Sequence, residues 1–329
     1  ILATGTTVDV TRDGTVTGGT DGIVALAGDT ASVTGTGDVS GTTGAGIVAS
    51  GVNDVTVNRD GTVTGGTDGI VAETVDGALV VTAVQDVTGT TGAGIEAEAV
   101  GTGTVTVDGA GAVTGGLEGI FAQAQTGAVT VSGTGASTAT DADGVAITGV
   151  IADGAATADL LIDRSGAITA QGSGASGGIV ALNAGSGATT VITTGAVLLS
   201  DAGSTGAGIL AQGTGGGAVA VTANGAVDGG ATGIAAGAVG AGTVSVTTGA
   251  ALGAGTAFVG NGIETVAEDG DTVITLGGDI FADADGINAV ATGTGAVTVT
   301  GAGNVTGDAD GSGDVTDDGI SVTTASGAI

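Results

Sequence analysis

The pattern of apolar and polar positions repeats along the whole chain. The segment Gly-Thr-Val-Thr-Gly-Gly-Thr-Asp-Gly-Ile-Val-Ala occurs at 14–25 and again, letter for letter, at 61–72. A looser copy lies halfway between them and ends in Gly46-Ile47-Val48-Ala49. The repeating unit is therefore about half the distance between the two identical copies, and such a period is typical of solenoid proteins.

Aligning the copies gives three columns, which we call strands A, B and C. Strand A has two apolar residues separated by one other residue: Val8/Val10, Val55/Val57, Val105/Val107, Val129/Val131, Val219/Val221, Val244/Val246, Val297/Val299. Strand B has one marked residue: Val16, Val39, Val63, Val87, Val113, Ser137, Ile168, Val197, Val227, Leu252, Ile280, Val305. Strand C follows the pattern Gly-Ile-x-Ala: Ile23, Ile47, Ile70, Ile95, Ile120, Val145, Ile179, Ile209, Ile234, Ile263, Ile287, Ile320.

These columns predict an all-β fold. Apolar residues alternate with polar ones within each column, as a strand that is buried on one side requires. The spacing from strand A to strand B is constant, whereas the other two connections vary in length, which indicates solvent-exposed corners that accept insertions. We therefore predict a three-faced parallel β-solenoid, a right-handed β-helix of about 12 coils that forms one continuous unit over 1–329.

The composition fits a thin core of small side chains. Net charge is −31, from 34 acidic residues against three arginines, so the basic surface that nucleic-acid binding needs is missing. An anionic membrane would repel such a chain, and no apolar run reaches the roughly 20 residues of a membrane helix. We expect no nucleic-acid partner and no membrane insertion.

Catalysis is not expected. The chain contains no histidine, cysteine, lysine or tyrosine, which supply most catalytic bases and nucleophiles. Paired carboxylates could still cleave a glycosidic bond, but the aromatic platforms that usually accompany them are almost absent, since aromatic residues make up 1% of the chain. We interpret most carboxylates as solvated corner residues and predict that the protein is not an enzyme.

Calcium is the cofactor that the acidic loops favour. Asp308, Asp310, Ser312 and Gly313 match positions 1, 3, 5 and 6 of a calcium-binding loop, although Gly319 stands where such loops place a bidentate glutamate. The alternative is an Asp-Gly-rich turn whose charges only keep it soluble. Asp283 and Asp285, one coil earlier, could approach the same side, and the segment 141–144 is a weaker third candidate for calcium. The residues predicted to hold the cation are Asp308, Asp310, Ser312, Asp314, Asp317, Asp318, Asp283 and Asp285.

Two further charged positions recur. Arg12, Arg59 and Arg164 all follow strand A at the constant corner, and we predict surface ion pairs there, with Asp13 and Asp60 next to the first two. An acidic residue also precedes the Gly-Ile pair of strand C in alternate early coils, which we interpret as tolerance of charge at that corner. The members of this acidic column are Asp21, Asp68, Glu118, Asp143, Asp285 and Asp318.

The Gly-Ile-x-Ala and Gly-x-Val-Thr coils resemble the right-handed β-helix regions of bacterial secreted surface proteins, of which autotransporter passengers and large repeat adhesins are the nearest class. The resemblance extends over essentially the whole chain and lies in the general residue pattern of the repeats, without a single diagnostic motif. It implies a location outside the cell, either on the bacterial cell surface or in the medium.

The resulting functional prediction is a non-catalytic extracellular structural solenoid that self-assembles into a fibre, matrix or surface layer, with rods in contact end to end or side by side. The alternative is a surface adhesin that binds a glycan or a cell receptor through its long loops, near 171–178 and 308–318. A glycan-active β-helix enzyme is a third hypothesis. Because the chain begins with Ile1 and carries no secretory signal, we expect a processed form or a window of a longer chain.

Overall fold

The computed structural model describes residues 1–172, 174, 177–201, 204–309 and 318–329. Within these ranges the chain contains strands, turns and bends but no helix, and so no helix long and apolar enough to span a membrane. The strands form three stacked parallel sheets, which make a β-solenoid of the right-handed type with about 12 turns. The predicted fold class is confirmed.

Each sheet collects one of the three predicted strands from successive coils, so we call the sheets A, B and C and number the strands in chain order. Sheet C is the largest, with 13 strands in the order in which they occur in the chain. Its strands are β1 (Leu2–Gly5), β4 (Ile23–Ala27), β7 (Ile47–Gly51), β10 (Ile70–Thr74), β13 (Ala93–Ala99), β16 (Glu118–Ala124), β19 (Val145–Ile151), β22 (Gly177–Asn183), β25 (Ala207–Gly213), β28 (Thr232–Ala238), β30 (Ile263–Ala267), β33 (Ile287–Ala291) and β36 (Ile320–Thr324).

Sheet A has 12 strands and lies one corner further along each coil. Its strands are β2 (Val8–Thr11), β5 (Ala31–Thr36), β8 (Val55–Asp60), β11 (Ala78–Ala83), β14 (Thr104–Gly109), β17 (Val129–Gly133), β20 (Leu160–Arg164), β23 (Thr189–Thr193), β26 (Val219–Ala223), β29 (Val244–Thr248), β31 (Thr272–Leu276) and β34 (Val297–Gly301).

Sheet B is built from very short strands. Nine of them form one ladder and two form a second, and Leu252 bridges the gap by pairing with Val227 and Ile280. The strands are β3 (Val16–Gly18), β6 (Val39–Gly41), β9 (Val63–Gly65), β12 (Val87–Gly89), β15 (Val113–Gly115), β18 (Ser137–Ala139), β21 (Ile168–Ala170), β24 (Val197–Leu199), β27 (Val227–Asp228), β32 (Ile280–Phe281) and β35 (Val305–Thr306).

The side chains of each column stack in single files. Val16 lies in register with Val39, and Val39 with Val63, and all three side chains are buried. The strand B column continues in register through every predicted member as far as Val305. Since a one-residue slip would turn every inward side chain outward, this shared register keeps one continuous apolar interior.

One member of the strand C column is wrong. Ile120 pairs with Ile147, and Val145 pairs with Glu118, so the in-register residue of this coil lies two positions after the predicted one. The segment Gly144-Val145-Ala146 imitates the Gly-Ile-x-Ala pattern, whereas the true member is Ala146-Ile147-Thr148-Gly149. The acidic column loses Asp143 for the same reason, because Glu118 lies next to Val145 in the sheet.

A glycine precedes most of the strand C isoleucines and is required there by packing, although Ala146 precedes Ile147. A Cβ atom on Gly46 would lie 2.6 Å from Val63 Cγ1 and 2.7 Å from the carbonyl oxygen of Gly69. Gly69 has the same surroundings, with Val87 Cγ1 and the Gly94 oxygen both 2.5 Å from such an atom. The corner therefore closes tightly, which brings the short strand of sheet B against strand C in the interior.

Candidate functional site

The acidic residues at the corners bind backbone amides of the next coil. Asp54 Oδ1 accepts a hydrogen bond from the Ala78 amide at 2.9 Å, and Asp86 Oδ1 accepts one from the Ala112 amide at 2.9 Å. Asp38 accepts from both the amide and the hydroxyl of Thr62, and these two bonds lower the pKa of the Asp38 carboxyl. The carboxylates thus connect one coil to the next, a role that the sequence analysis did not assign to them.

This contact also explains the acidic column before strand C. Asp21 Oδ1 accepts from the Ala45 amide at 2.9 Å, and Asp68 Oδ1 accepts from the Ala93 amide at 2.7 Å. Ala45 and Ala93 occupy this position in the coils that follow Asp21 and Asp68, and their amides are the donors. The carboxylate at this corner therefore has a structural role, because it accepts a hydrogen bond from a backbone amide.

The predicted calcium residues divide into two groups. Asp310, Ser312, Asp314 and Asp317 lie outside the described residues. Asp283, Asp285, Asp308 and Asp318 are described, and Asp285 Oδ1 accepts a hydrogen bond from the Asp318 amide at 2.9 Å. Asp308 has a φ of 56°, in the left-handed region. Across the described ranges, no group of three or more acidic side chains is arranged to hold a metal ion.

The structure corrects the prediction for two of the arginines. Arg59 and Arg164 have no exposed surface, while Arg12 lies at the surface. Arg59 donates hydrogen bonds to the carbonyl oxygens of Arg12, Thr34 and Gly37, at 3.0, 2.8 and 2.6 Å. The guanidinium therefore connects its own coil to the two preceding coils, instead of forming a surface ion pair with Asp60.

Arg164 repeats this arrangement further along the rod. Its guanidinium donates to the carbonyl oxygens of Gly109, Ser132 and Gly135 and to the hydroxyl of Ser137. Burial lowers the pKa of Arg164 to about 10, so the side chain is still a cation at neutral pH. Its Nε atom has no hydrogen-bond partner, and neither does that of Arg59.

A group of glutamates lies on the outer side of sheet C. Glu73 and Glu98 are in register on adjacent strands, and Glu96 lies two residues before Glu98 on the same outer side. Loss of hydration, together with the nearby Asp68 and Glu98 carboxylates, raises the pKa of Glu96. The pKa of Glu98 is raised by burial and by Glu73.

Glu118 lies at the edge of the same group. Loss of hydration raises the pKa of its carboxyl, and the Asp68 carboxylate acts in the same direction. A hydrogen bond from the Thr148 hydroxyl at 3.4 Å opposes part of this effect. Ionisation of these glutamates is therefore less favourable than that of a free carboxyl group, since like charges on neighbouring strands destabilise a sheet.

The whole outer surface of sheet C, which we call the C face, carries an apolar side chain on most of its strands. In β22, for example, Ile179 and Ala181 are buried while Val180 and Leu182 are partly exposed on the outside. The larger apolar side chains on the C face are Leu2, Val24, Leu26, Val48, Val71, Phe121, Val150, Val180, Leu182, Leu210, Val266 and Val290.

The other two outer surfaces differ from the C face. Most outward positions of sheet A are serine or threonine, with a few apolar exceptions such as Leu161 and Ile192. In sheet B the outward position is threonine in most strands, for example Thr17, Thr64 and Thr88. The rod therefore has two hydroxyl-rich sides and one side on which about half of the outward side chains are apolar.

Shallow grooves follow the C face along its later coils. One has a volume of about 370 Å³, and another of about 420 Å³ lies beside it. Gln212 lines both of them, with Val150 and Leu182 in the first and Val239 and Val266 in the second. The sequence contains a signal for this surface, because many of the residues between the inward-facing members of strand C are apolar.

Comparison with known proteins adds no functional assignment. The chain matches no protein-family model, and neither the search of curated proteins nor the search of solved structures gives a match.

Proposed function

We propose that this chain is a non-catalytic, extracellular structural β-solenoid that self-assembles into a fibre, matrix or surface layer. The observation that supports it most is the difference between the sides of the rod: the C face carries many apolar side chains, and the outer sides of sheets A and B are rich in hydroxyl groups. An exposed apolar strip of this length is typical of a contact surface. The corner carboxylates support a scaffold role, because many of them already bind backbone amides of the next coil.

Self-assembly can be tested directly. We expect the purified chain to form filaments or sheets in negative-stain electron microscopy, and its sedimentation coefficient to rise with protein concentration. Dispersed monomers at every concentration, both with and without calcium, would contradict the proposal. A location on the bacterial cell surface or in the medium is proposed with it, on the resemblance of the repeats to secreted β-helices, and immunogold labelling of intact cells of the source organism would test it.

Calcium is proposed as a brace for the 308–318 loop. The acidic residues of this loop resemble a calcium-binding pattern, and Asp285 lies one coil earlier with its carboxylate on the Asp318 amide. We expect calcium to raise the midpoint of thermal unfolding relative to a sample in EDTA, and the variant Asp308→Asn/Asp310→Asn to reduce this rise. Asp86→Asn is the matched control, since it also removes a corner carboxylate. An equal response of all three proteins would argue against a site in the loop.

A further inference from the structure

We propose that two copies of this chain associate through their C faces, with the rods antiparallel and a twofold axis passing close to β19. This inference rests on the proposed self-assembly and identifies one of its contacts, a closed pair of rods, which a longer assembly would join through other surfaces. β19 is the seventh of the 13 strands of sheet C, so the axis lies at the middle of the sheet. In this arrangement each strand of one copy faces the strand that has the same position counted from the opposite end of its partner.

The size of the C face matches that of a stable interface. Thirteen strands at a spacing of about 4.8 Å, each with about five residues in contact, give a surface of roughly 1,000 Å² on each copy. Two such surfaces would bury roughly 2,000 Å² together, at the upper end of the standard range for specific protein interfaces. The hydroxyl-rich outer sides of sheets A and B offer much less apolar area.

The distribution of charge favours the same surface. With a net charge of −31, two copies repel each other on most approaches. The carboxylates on the outer side of sheet C belong to Glu73, Glu96, Glu98, Glu118 and Glu264, and the other outward-facing side chains of its strands are uncharged. The C face is thus a broad apolar surface on which two rods can meet with few carboxylates between them.

The same glutamates decide the relative direction of the two rods. In a parallel pair, Glu96 and Glu98 would face their own copies across the interface. In the antiparallel pair, β13 faces β25 of the partner, since these are the fifth and ninth of the 13 strands. Glu98 then comes close to Gln212 of the other copy, whose amide can donate a hydrogen bond to it.

The other matched strands are also compatible. Phe121 on β16 meets Val180 and Leu182 on β22, so the one aromatic ring of the C face packs against apolar side chains. Glu264 on β30 meets Val48 and Ser50 on β7. No carboxylate of the C face opposes another one in this register.

Cysteine cross-linking tests the register. Because the chain has no cysteine, each introduced thiol is the only one present. We expect Val150→Cys to form a covalent dimer with a short bismaleimide, since this residue lies close to the axis. Val24→Cys should not react with itself, but mixed with Val290→Cys it should give a heterodimer, because β4 and β33 are matched. Self-reaction of Val24→Cys would overturn the antiparallel arrangement.

A charge substitution tests the surface. Leu182→Asp places a carboxylate at the centre of the C face, and Ile192→Asp is a matched control on the outer side of sheet A in the same coil. We expect Leu182→Asp to weaken association at least tenfold in sedimentation equilibrium, and Ile192→Asp to leave it close to wild type. Circular dichroism would verify that both variants keep the β-solenoid fold.

The outcomes separate this inference from the proposed function. If rods assemble and Leu182→Asp has no effect, the C face is not the contact surface, although self-assembly stands. If both aspartate variants weaken association equally, the effect is one of general charge and the C face is again excluded. If the wild-type chain does not associate under any condition, both the proposed function and this inference fail.

Discussion

At the scale of the residue, the two buried arginines are the least expected feature of the rod. A buried guanidinium is normally balanced by a carboxylate, whereas Arg59 and Arg164 donate mainly to backbone carbonyl oxygens. Space for each side chain comes from a glycine of the preceding coil, because a Cβ atom on Gly35 or Gly133 would lie within 3 Å of a guanidinium nitrogen. Both glycines have positive φ angles, 126° and 124°.

Arg164 and Arg12 allow a matched comparison, since both occupy the same position of the coil. Arg164→Met leaves the carbonyl oxygens of Gly109, Ser132 and Gly135 without their donor in the interior, which should cost roughly 3 kcal/mol or more. Arg12→Met removes an exposed side chain and should change stability by less than about 0.5 kcal/mol. Urea unfolding followed by circular dichroism measures both, and equal midpoints would refute a bracing role for Arg164.

The sequence alone did not reveal this difference. The three arginines look alike in their local sequence, and each is followed by a polar residue. Their environments differ because the acceptors of Arg59 and Arg164 lie 22 to 55 residues earlier in the chain. Burial of a charge is decided by these distant partners, which become visible only when the coils are stacked.

At the scale of the element, the glutamates of β10 and β13 repel one another within one sheet. Strand stacking brings Glu73 and Glu98 side by side, and the neighbouring Glu96 is partly buried. A carboxyl group whose pKa is raised by folding destabilises the folded state when it is ionised. This cost is present above the raised pKa and disappears as the pH falls towards the usual value of 4.5.

The variant Glu96→Gln/Glu98→Gln tests this repulsion between carboxylates. We expect it to be more stable than the wild type at pH 7 by roughly 0.2–1 kcal/mol per relieved carboxylate pair, and the gain should vanish as the pH approaches 4.5. Thermal unfolding at a series of pH values measures the difference. Glu264→Gln on β30 is a control outside the group, and a gain that is independent of pH would contradict the electrostatic explanation.

At the scale of the whole molecule, the fold was predictable because one pattern recurs in every coil. Inward side chains of strands B and C and the glycine before strand C are constrained by neighbours on both sides, so they repeat visibly. The error at Val145 arose where a corner segment reproduced that pattern two residues too early. Outer surfaces were not predictable in the same way, since no neighbouring coil constrains their identity.

An alanine substitution at a tightly packed glycine should therefore destabilise the rod more than one at a glycine with open space around it. Gly69→Ala places a Cβ atom 2.5 Å from both the Gly94 oxygen and Val87 Cγ1, and we expect it to destabilise the rod by about 1–3 kcal/mol. Gly19→Ala is the control, because nothing lies within 4 Å of its Cβ position. Hydrogen exchange would show whether coils on both sides of Gly69 lose protection, and equal protection in the two variants would contradict the expectation.

The two identical segments at 14–25 and 61–72 occupy equivalent places two coils apart. Excision of residues 14–60 would join Asp13 to Gly61 and restore the same letters across the seam. The shortened chain would keep its remaining coils aligned, and duplication of the same segment would give a longer chain with the same alignment. The length of the rod can therefore change by whole coils while every remaining coil keeps its sequence.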